Sequence, residues 1–74
     1  MKTKPLVGST VRLNDHGMHT IGGLTSMEMI DQARRMIITD VGENITRPEK
    51  TYVINVDQPL IDQWLITNHD VDEL

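Results

Sequence analysis

Cysteine is absent from this chain. That excludes disulfide staples and thiolate zinc sites, and it fits a reducing cytoplasm. Phenylalanine is absent as well, and Tyr52 and Trp64 are the only aromatic residues. A surface that stacks bases along a single strand needs several aromatic platforms, so that route to nucleic-acid binding is poorly supplied. No apolar run approaches the roughly 20 residues of a membrane helix. Lys2 and Lys4 are followed by Pro5-Leu6-Val7-Gly8, which lacks the apolar stretch of a signal peptide, so a soluble, cytoplasmic protein is expected. The sequence contains no repeat and no low-complexity tract.

What remains is a single domain over residues 1–74, with 1–6 as a flexible N-terminal arm. A core of this size supplies only about 3–5 kcal/mol. With no staple available, self-association is the remaining common source of extra burial, and a homo-oligomer is compatible with the sequence.

The net charge of −4 is unevenly placed. In residues 1–35, Lys2, Lys4, Arg12, Arg34 and Arg35 outnumber Asp15, Glu28 and Asp31, a balance of +2. Residues 36–74 hold Arg47 and Lys50 against eight carboxylates, a balance of −6. An acidic half disfavours contact with phosphates there and permits docking on a basic partner. A solvated face that keeps the protein soluble is the blander reading of the same charges.

Glycine and proline cut the chain into short pieces at the spacing of antiparallel strands. Ser9–Leu13 alternates and reads as the first strand. Asn14-Asp15-His16-Gly17 has turn chemistry, Met18–Ile21 reads as a short strand or turn, and Gly22-Gly23 is a break. A helix is expected over Ser26–Arg35. It is capped by Ser26 or by a Thr25/Glu28 box, with Met27 and Ile30 as its apolar stripe. Met36–Val41 and Lys50–Asp57 are strands. Leu60–Leu65 fits helix or strand, Asn68-His69-Asp70 a turn, and Val71 to Leu74 a closing strand. The fold class is therefore mostly β (α+β). It has about five short antiparallel strands in a small barrel or curled sheet and one short helix in the first long loop. The expected core is Val11, Leu13, Ile30, Ile38, Tyr52, Ile54, Val56 and Leu65, with Trp64 joining it.

Catalytic chemistry finds little to work with. His16, His19 and His69 make a metal site only by long-range coincidence, since zinc needs three or four ligands. Asp15-His16 and His69-Asp70 are sequence neighbours whose side chains point apart, so neither is an acid–base pair. Ser9 and Ser26 read as strand-entry and cap residues, not nucleophiles. No enzyme activity, no metal and no cofactor is expected. Partner binding is assigned to the acidic residues Asp57, Asp62, Asp70, Asp72 and Glu73. Met29 joins them because it falls off the Met27/Ile30 stripe, whereas Met27 and Met36 read as core. The alternative is a nucleic-acid surface formed by Lys2, Lys4, Arg12, Arg34 and Arg35.

The stretch Val7-Gly8-Ser9-Thr10-Val11-Arg12-Leu13 resembles the opening strand of a small barrel of the Src-homology-3-like type. A long first loop, the strand Met36–Val41, a hairpin, Tyr52–Val56, a turn at Leu60–Asp62 and a closing strand extend the likeness. The resemblance implies a barrel fold. The helix in the first loop departs from the plain barrel, and the aromatic groove that binds proline-rich peptides is missing. In length, acidity and style the chain also looks like the short accessory proteins of tailed bacteriophages, which implies a protein that binds and modulates a bacterial host factor.

Overall fold

The computed structural model describes residues 4–46 and 51–74. In chain order the elements are β1 (Thr10–Leu13), α1 (Asp15–Ile21), α2 (Met27–Arg34), β2 (Met36–Glu43), β3 (Tyr52–Val56), α3 (Pro59–Asp62), β4 (Ile66–Thr67) and β5 (Val71–Glu73). A 3₁₀ turn, Asn68–Asp70, joins β4 to β5.

All strand pairs are antiparallel, in the order β4-β3-β2-β1-β5. The start of β2 pairs with β1, Val11 opposite Met36, and the rest pairs with β3 from Ile38↔Val56 to Glu43↔Tyr52. Between these regions the register shifts at Ile38/Asp40, a bulge that bends the strand and lets it serve both halves of the sheet. β4 and β5 lie at opposite edges, yet only three residues separate them. In a flat sheet those edges would stand about 19 Å apart, four strand spacings. The chain from Thr67 to Val71 reaches about 14 Å at most. The sheet is therefore curled. It stays open, with no ladder between β4 and β5 among the described residues, so the closed form of the expected barrel is not formed.

The stretch expected as a turn and short strand, Asn14–Ile21, is helical. Asn14 is its N-cap, its side chain accepting from the Gly17 N–H at 2.9 Å, and Gly22 ends it in the left-handed region at φ 84. Gly17 is not a helix breaker here. A Cβ on it would sit 2.2 Å from the Asp70 carbonyl oxygen and 2.6 Å from Leu13 Cδ1, so its bareness lets α1 lie directly on the last turn. Ser26 caps α2, accepting from the Met29 N–H at 3.2 Å. Leu60–Leu65 divides into the end of α3 and a loop ahead of β4. The third strand begins at Tyr52, and Lys50, its expected start, lies outside the described residues.

Val11, Leu13, Ile38, Ile54 and Val56 are buried as the alternation requires, together with Ile21, Met29, Ala33, Met36, Ile61, Ile66 and Val71. Ile30 and Tyr52 are only half-buried. The α2 stripe that faces the core is Met29/Ala33, and Met27 is 67% exposed, which reverses the expected roles of Met27 and Met29. Leu65 is 67% and Trp64 40% exposed. Ile66 takes the inward position of β4, and a one-residue phase difference turns its neighbour outward. Pro5 is fully buried and the Gly8 N–H donates to Ile38 at 2.8 Å, so the N-terminal arm is anchored from Pro5 onward.

Candidate functional site

Where α1 crosses the β4–β5 turn, the side chains of His16 and Thr20 stand one helical turn apart and meet the same carboxylate. Asp70, 2% exposed, accepts at Oδ1 from the Thr20 hydroxyl (2.9 Å) and contacts His16 Nδ1 (2.6 Å). Its Oδ2 accepts from the Thr67 backbone N–H (2.8 Å) and hydroxyl (3.2 Å). Burial pushes the Asp70 carboxyl up. The hydrogen bonds from the Thr67 backbone, His16, Thr20 and the Thr67 hydroxyl outweigh it and hold the group below the ordinary aspartate value. An ionised carboxylate only accepts, so His16 carries its proton on Nδ1, and Nε2 is what the ring offers a visitor.

Asn14 completes the joint. Its backbone N–H donates to the Asp70 carbonyl at 3.0 Å, and its side-chain amide donates to the His69 carbonyl at 3.0 Å and to Asp72 Oδ1 at 3.2 Å.

Beside this cluster lies an open cleft of about 500 Å³, lined by His16, Thr20, Thr46, Leu65, Thr67 and His69 with Asp70 on its floor. Asn44 shapes its rim, accepting from the Thr46 N–H at 3.1 Å and hydroxyl at 2.6 Å. The Asp70–His16 pair is the part of a nucleophile-activating triad that orients the base. The rest is not assembled among the described residues: Thr20 donates to Asp70 and to the His16 carbonyl, Thr67 to Asp70 and Thr46 to Asn44, so none of these hydroxyls is held on the His16 ring. Among the described residues no three His, Asp or Glu side chains gather as metal ligands. The cleft offers hydrogen-bond donors and acceptors around one apolar contact, Leu65, which is chemistry for recognition.

The expected acidic site residues divide. Asp70 is buried inside the cluster and is not a surface charge. Asp57 Oδ1 accepts from the Ile37 N–H and Asp62 Oδ1 from the Val56 N–H, each at 2.8 Å, and both residues stay exposed. Asp72 is half-buried and 3.7 Å from Arg12, and Glu73 is exposed on β5. Met29 is buried in the core, not available to a partner.

Of the basic set, Lys2 lies outside the described residues and Lys4 sits 5.5 Å over the Tyr52 ring. Arg34 is 3.5 Å from Asp31, and Arg35 is exposed at the end of α2. Arg12 and Arg34 share a groove. The His16–Asp70 contact escapes a reading that pairs each histidine with its sequence neighbour. The visible signal for it is Asn14 as a helix cap, which puts His16 and Thr20 on one face.

No family model, no curated protein and no solved structure matches this chain.

Proposed function

We propose that this chain is a non-enzymatic protein-binding module, and that its partner is a basic protein that meets the rim of the cleft. One observation carries the reading. Trp64 is the only tryptophan, and it stands 40% exposed beside Leu65, 67% exposed, in a chain with a small core. Trp64 keeps about two-fifths of its surface in water next to a mostly exposed leucine, and tryptophan is prominent among residues that anchor interfaces. Ile45, 93% exposed, lies in sequence between the cleft residues Asn44 and Thr46. Asp57, Asp62, Asp72 and Glu73 supply a negative field that steers a basic partner.

Binding is preferred to chemistry because, among the described residues, no hydroxyl is hydrogen-bonded to the His16 ring. The likeness in length and acidity to phage accessory proteins favours a bacterial host protein as the partner. A curled sheet whose bulged β2 serves both halves lies close to a small barrel, and this supports the Src-homology-3-like reading of the fold.

The test is affinity capture from bacterial lysate, with and without nuclease, using the parent chain and a Trp64→Ala/Leu65→Ser variant. A protein retained after nuclease and lost with the variant supports the proposal. Capture that disappears with nuclease favours nucleic-acid binding.

A further inference from the structure

We infer that the groove between α1 and α2 binds a segment of a partner protein in which apolar side chains are flanked by carboxylates. This second surface rests on the binding-module reading only in taking the ligand to be a protein.

The groove, about 440 Å³, is lined by Met18 of α1, by Leu24, and by Ile30 and Ala33 of α2, with Arg12 and Arg34 at its margins. It exists because of a phase in the sequence. α2 turns Met29 and Ala33 inward, which leaves Ile30 half-covered and Met27, one turn before it, 67% exposed. Gly22 and Gly23, at φ 84 and 98, turn the chain between the helices through a conformation that other residues resist. Met18, which lines the groove, is 40% exposed. Methionine is flexible and polarizable, suited to a surface that moulds to an apolar visitor.

The arginines decide which visitor. Their side chains are 58% and 71% exposed, and their carboxylate contacts, to Asp72 at 3.7 Å and Asp31 at 3.5 Å, are long and solvated. Such pairs hold weakly and are readily exchanged. Guanidinium prefers the two-pronged geometry of a well-placed carboxylate, and one arginine from β1 and one from α2 mark out two such positions. A basic segment would meet both arginines at short range. The chain's negative net charge opposes an acidic partner only at long range, and salt screens that within about 8 Å at physiological strength.

The experiment is selection of displayed random peptides of about 16 residues, some four helical turns, on the full chain at physiological salt. The expected peptides carry Asp or Glu on both sides of their apolar residues. On titration they shift the methyl signals of Met18, Leu24 and Ile30. Arg34→Glu and Met18→Glu, both at exposed helix positions, each weaken binding about tenfold or more while the melting temperature holds. Arg12→Glu is less clean, because it faces Asp72 across the β1–β5 pair. Basic peptides that shift Trp64 and Leu65 instead, or affinity untouched by Arg34→Glu, overturn the inference and leave the binding-module reading standing. Recovery of no peptide also overturns the inference, while the binding-module reading is tested separately by the Trp64→Ala/Leu65→Ser capture. A chain that dimerises, and that Met18→Glu makes monomeric, overturns the inference by showing the groove to be a contact between copies.

Discussion

His16 Nδ1 lies 2.6 Å from Asp70 Oδ1, across 54 positions of sequence, and fastens the first helix to the last turn of the chain. Thr20 and Thr67 supply the other side-chain donors to the same carboxylate. A buried charge served this fully is stable only while its donors remain, which makes the joint the most sensitive polar feature described.

Asp70→Asn keeps the shape of the side chain and removes the charge. It also presents an amide N–H₂ to donors that need an acceptor. The expected loss is about 2–3 kcal/mol, much of the stability of so small a domain. His16→Ala removes one donor of four from an exposed position and costs about 1 kcal/mol or less. Urea unfolding of the three proteins checks the order. An Asp70→Asn variant as stable as the parent would show that the buried carboxylate contributes nothing.

The same carboxylate sets an acid limit. Its folded value lies below the ordinary value of 3.8, so ionised Asp70 contributes stability that is fully present above about pH 4. That contribution is lost as the pH falls through the lower, folded value. Melting temperatures taken from about pH 5 down to pH 2 should fall more steeply for the parent than for Asp70→Asn. Parallel curves would contradict this.

Gly17→Ala reverses the usual rule. In an exposed helix the change gains up to about 1 kcal/mol. Here the new methyl meets a backbone oxygen at 2.2 Å, and overpacking typically costs about 1–3 kcal/mol. A net loss of stability is expected. Gly42→Ala, at a strand position with nothing within 4 Å of its added Cβ among the described residues beyond its chain neighbours, is the comparison and should be close to neutral.

Two apolar residues expected in the core separate in the structure. Ile54 is 1% exposed, and Ile54→Ala should cost about 2–5 kcal/mol. Leu65 is 67% exposed, and Leu65→Ser should change stability by less than about 0.5 kcal/mol. Equal effects on thermal unfolding would return Leu65 to the core.

The strands were legible where side chains alternate. Val11/Leu13 and Ile54/Val56 could lie on one buried face only in the register they adopt. Phase was harder. Met27 against Met29, and Leu65 against Ile66, are choices between neighbours of similar hydrophobicity, and tertiary packing decides them. α1 was hidden because Gly17 reads locally as a turn, while the reason for it is an atom 53 positions away, the Asp70 carbonyl. The Asp70 cluster was legible only in part: Asn14 as a cap puts His16 and Thr20 on one face, but no local pattern names the distant carboxylate they meet.

The central claim is that exposed Trp64 anchors a protein partner. Calorimetric titration of the nuclease-resistant partner with the parent and with Trp64→Ala tests it most directly. The account predicts affinity about tenfold weaker or worse for Trp64→Ala, with an unchanged melting temperature. Equal affinity for the two proteins would contradict it.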